Sequence, residues 1–108
     1  MREKEIANHI EQVWQLSDSD LSTATSQWQS LQNAVYTRSE YTRMKYDLLS
    51  VRIRDKNDML PSSVDSIKKI AHYMEQHGTG RDIMRAYYYL GSIYEELRLS
   101  RKLVGTSI

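Results

Sequence analysis

A chain of 108 residues can bury one core but not two independent ones, so one domain over residues 1–99 with a flexible tail at 100–108 is expected. Its 15 Lys plus Arg against 14 Asp plus Glu give a formal net charge of +1, a balance that argues against nucleic acid or an anionic membrane as partner. The absence of Cys removes disulfides, thiolate metal sites and a Cys nucleophile, and no stretch approaches the roughly 20 apolar residues of a membrane span; a soluble, cytoplasmic chain with no membrane segment is expected.

Apolar residues recur at three and four rather than at two, which predicts an all-α fold with no strands. The first helix spans residues 3–16, with Ile6, Ile10, Val13 and Trp14 on one stripe. The "SDSD" run then offers several N-caps, Ser17 and Asp20 having capping-box spacing, before a second helix with Leu21, Ala24, Trp28, Leu31 and Val35 aligned. Thr37 and Glu40 repeat that spacing ahead of a third helix over residues 38–56. This helix carries two apolar faces, Tyr41, Met44, Leu48 and Val51 on one and Thr42, Tyr46, Leu49 and Ile53 on the other, which predicts neighbours on two sides. Pro61 ends it, Ser62 or Ser63 is expected to cap a fourth helix reaching His77, and Val64, Ile67, Ile70, Ala71 and Met74 face inward. Gly78 suits the C-cap, and Thr79 with Asp82 opens a fifth helix over residues 81–99. Five antiparallel amphipathic helices joined by short turns are the expected architecture.

In the last helix Tyr87, Leu90, Gly91 and Tyr94 have the spacing WxxLGxxY with Tyr in the first place. This resembles the first-helix signature of the tetratricopeptide repeat, and residues 39–97 as a whole look like the N-terminal part of bacterial proteins of that family, here truncated. The resemblance implies a fragment of an α–α superhelix in which those four residues form the repeat core, Gly91 admitting a neighbouring backbone. It also implies a second helix of the repeat after helix five, for which "RLSRKLVGTSI" has no matching pattern. With Tyr87, Leu90 and Tyr94 turned inward, Met84, Tyr88 and Tyr89 are left as an expected oligomer interface.

His72, Glu75 and His77 are near in sequence, but His77 falls about 140° from His72 around a helix, so no metal site is assigned. Arg38, Lys45, Arg52 and Lys56 align within about 40° on the third helix, either as a site for an acidic peptide or as a solvated boundary answering the acidic residues of helices one and two. A helix-turn-helix through "HGTGRDIMRAYYY" would need a polar reading face that the tyrosines do not supply. No Gly-rich phosphate loop, nucleophile elbow or paired carboxylates occur, so no enzyme activity, catalytic residue or cofactor is expected. The expected function is a protein-interaction module that binds a protein, a peptide or its own copy through Arg38, Lys45, Arg52, Arg81, Arg85 and Tyr88. The alternative is an N-terminal regulatory or sensor fragment of a larger transcriptional or signalling protein.

Overall fold

The computed structural model describes residues 2–103. They form five helices and, among the described residues, no strands: α1 Glu3–Ser19, α2 Leu21–Val35, α3 Glu40–Lys56, α4 Asp65–His77 and α5 Gly80–Leu103. The fold is all-α. No helix among the described residues is long and apolar enough to cross a membrane. Where length leads one to expect a single domain, the chain divides into two compact units between Asp58 and Met59.

In the first unit α1, α2 and α3 pack on one another in all three pairings, and this accounts for the two apolar faces of α3. Leu49 and Ile53 are fully buried, as are Ile6, Val13 and Ala24, while Leu31 and Leu48 are nearly so. Each large aliphatic side chain buried this way contributes about 1.5–3 kcal/mol relative to exposure. The helix boundaries follow local chemistry. Ser17 does not open α2: it lies inside α1, where its hydroxyl donates to the Trp14 carbonyl. Asp20 is the N-cap of α2, accepting from the Thr23 amide at 3.2 Å and from its hydroxyl at 2.7 Å. Those two bonds hold the Asp20 carboxyl below its ordinary value. Ser39, not Thr37, caps α3, with its hydroxyl accepting from the Thr42 amide at 3.2 Å. Asn57 closes α3 by donating from its side chain to the Ile53 carbonyl at 2.8 Å, and Asp58 follows in the left-handed region at φ 59°.

In the second unit α4 and α5 pack on each other. Ile67, Ile70, Ala71 and Met74 are the buried stripe of α4, as expected, while Val64 stands before the first turn. Neither Ser62 nor Ser63 is the N-cap; that place falls to Val64, and the Ser63 hydroxyl accepts instead from the Asp65 amide at 3.3 Å. The connection to α5 is a reciprocal capping box: Thr79 donates its amide to the Asp82 carboxylate at 3.0 Å, and Asp82 donates its amide to the Thr79 hydroxyl at 3.2 Å. Gly78 is the C-cap of α4 for a steric reason, since its φ of −90° needs no glycine but an added Cβ would lie 2.9 Å from both the Asp82 Cβ and the Met74 carbonyl. The last helix runs four residues past its expected end at Leu99, so residues 100–103 of the expected tail are helical and residues 104–108 lie outside the described residues.

Candidate functional site: the outward face of the last helix

The tyrosine run of α5 is set one residue out of the expected phase. Asp82, Ala86, Tyr89 and Ile93 recur at three, four and seven and are its buried residues, with Tyr89 only 3 % exposed. Tyr89 is therefore core and not interface, and Tyr88 meets its ring edge-on at 5.0 Å. The expected inward placement of the signature residues is also corrected: Tyr87 is 44 % and Tyr94 47 % exposed, Gly91 is exposed, and only Leu90 is half-buried. Met84 at 65 % and Tyr88 at 67 % are exposed as expected. The physical cause of the phase error is that three consecutive tyrosines span about 200° of a helix, so periodicity alone does not choose among them. The small residue Ala86 and the buried cap Asp82 fix the choice, and they were the signals to weigh.

The outcome is a continuous outward strip of Met84, Tyr87, Tyr88, Gly91 and Tyr94, at spacings of three and four. Gly91 sits at its middle with open space above it: an added Cβ would meet no heavy atom within 4 Å outside the helix backbone. The strip is thus a notch flanked by aromatic rings. Tyr94 also has the Lys68 ammonium 6.0 Å from its ring centre. Arg81 is exposed and Arg85 half-exposed at the N-terminal end, while Glu95 and Arg98 at the other end are joined at 2.5 Å.

Beside that end lies a cavity of about 520 Å³, lined by Ser62, Ser63, Asp65, Tyr94, Arg98 and Arg101 among others. Its two arginines are balanced by Asp65 and Glu95, so it has no net charge by which to select an ion. His72 is hydrogen-bonding distance from Gln76 at 3.3 Å and His77 packs its ring 4.5 Å from that of Tyr73. Among the described residues no group of three His, Asp or Glu gathers as a metal set would require.

The basic stripe of α3 is taken up within the first unit. Arg52 lies over the Trp14 ring at 4.6 Å, donates from Nε to the Ser17 hydroxyl and pairs with Asp18 at 2.6 Å, its side chain only 12 % exposed. Lys56 shares the same carboxylate at 3.2 Å, and the two cations hold the Asp18 carboxyl below its usual value. Lys45 sits 5.3 Å from the Tyr41 ring centre, and Arg38 donates to the Ala34 carbonyl at 3.4 Å. Arg52 is thereby held within its own unit.

The chain matches no family model, no curated protein and no solved structure.

Proposed function

We propose that the chain is a non-catalytic protein-interaction module of tetratricopeptide-like type, and that its contact surface is the outward face of α5. The observation that supports this is the uncovered strip around Gly91, where four exposed large apolar side chains share one side of a helix. Side chains of this kind supply most of the binding free energy at interfaces, because tyrosine buries a large area at little rotamer cost and keeps a hydroxyl for hydrogen bonding. The residues with repeat-signature spacing, Tyr87, Gly91 and Tyr94, lie on that side, where a following helix would pack in a repeat array. Binding a protein, a peptide or a second copy of the chain would cover them in its place.

Light scattering on the intact chain over rising concentration tests this reading. The wild-type mass is expected to climb above that of one chain, and Tyr88→Glu, which places a charge in the strip without touching the buried stripe, is expected to weaken the association at least tenfold, or about 1.4 kcal/mol. A wild-type mass that stays monomeric at high concentration removes a second copy as the occupant, and a Tyr88→Glu variant that associates as the wild type does contradicts the assignment of the surface.

A further inference from the structure

We draw no further inference here: the strongest candidate, the exposed patch of Met84, Tyr87, Tyr88 and Tyr94 on the outward face of α5, carries nothing beyond the proposed function, because the C-terminal half of that helix bears charges of both signs and nothing in the structure shows what covers the patch.

Discussion

Trp28, Tyr46 and Ser50 show how single side chains tie α2 to α3. The Trp28 Nε1–H donates to the Ser50 hydroxyl at 2.7 Å, Ser50 donates to the Tyr46 carbonyl at 2.9 Å, and the Tyr46 hydroxyl returns to the Trp28 carbonyl at 2.8 Å. Burial also pushes the Tyr46 phenol up, so it stays neutral and a donor. Ser50→Ala leaves the indole N–H without its partner, and the expected loss is about 1–3 kcal/mol in urea unfolding followed by tryptophan fluorescence. A loss under a few tenths of a kcal/mol would show the bond to be replaceable by water. None of this network is readable along the chain, because its two bonds between helices span 22 and 18 residues and Ser50 looks like a cap or a surface residue. Glu3 is a similar case: its carboxylate accepts from the Ser39 amide and the Thr42 hydroxyl, joining the start of α1 to the start of α3, and those bonds hold it below its usual value. The basic stripe was readable as a pattern, and its tie to Asp18 could be anticipated only as a general answer to acidic neighbours.

Among the elements, Gly78 and Gly91 of the second unit have opposite requirements. Gly78 is enclosed, with the Asp82 Cβ, the Met74 carbonyl and the Met74 sulfur all within about 3.0 Å of an added methyl, whereas Gly91 faces open space. The same substitution should therefore act with opposite sign. In dilute solution, Gly78→Ala is expected to lower stability by about 1–3 kcal/mol through overpacking. Gly91→Ala is expected to raise it by about 0.5–1 kcal/mol through helix propensity. Thermal melts by circular dichroism read both, and equal signs would contradict the placement of one of them. The helices themselves were plain in the sequence, because Ile6, Ile10 and Val13 or Ile67, Ile70 and Met74 leave one phase only. The capping box of Thr79 and Asp82 was equally plain, since its geometry is local. The inner face of α5 was not, because its apolar residues surround it and the choice of face depends on what α4 presents.

At the scale of the whole molecule, fold class was legible and division was not. Periodicity at three and four, short turns and a lone Pro61 specify helices, but the break between Asp58 and Met59 looks like any other turn in a chain of this length. On α5 the side chains of Met84, Tyr87, Tyr88 and Tyr94 are exposed. Hydrogen exchange on the intact chain at low and high protein concentration tests that surface most directly, because it reads each helix separately. Slower exchange at high concentration over residues 84–94, with α1, α2 and α3 unchanged, is the expected result. Exchange in α5 that does not depend on concentration, or new protection in the first three helices instead, would contradict it.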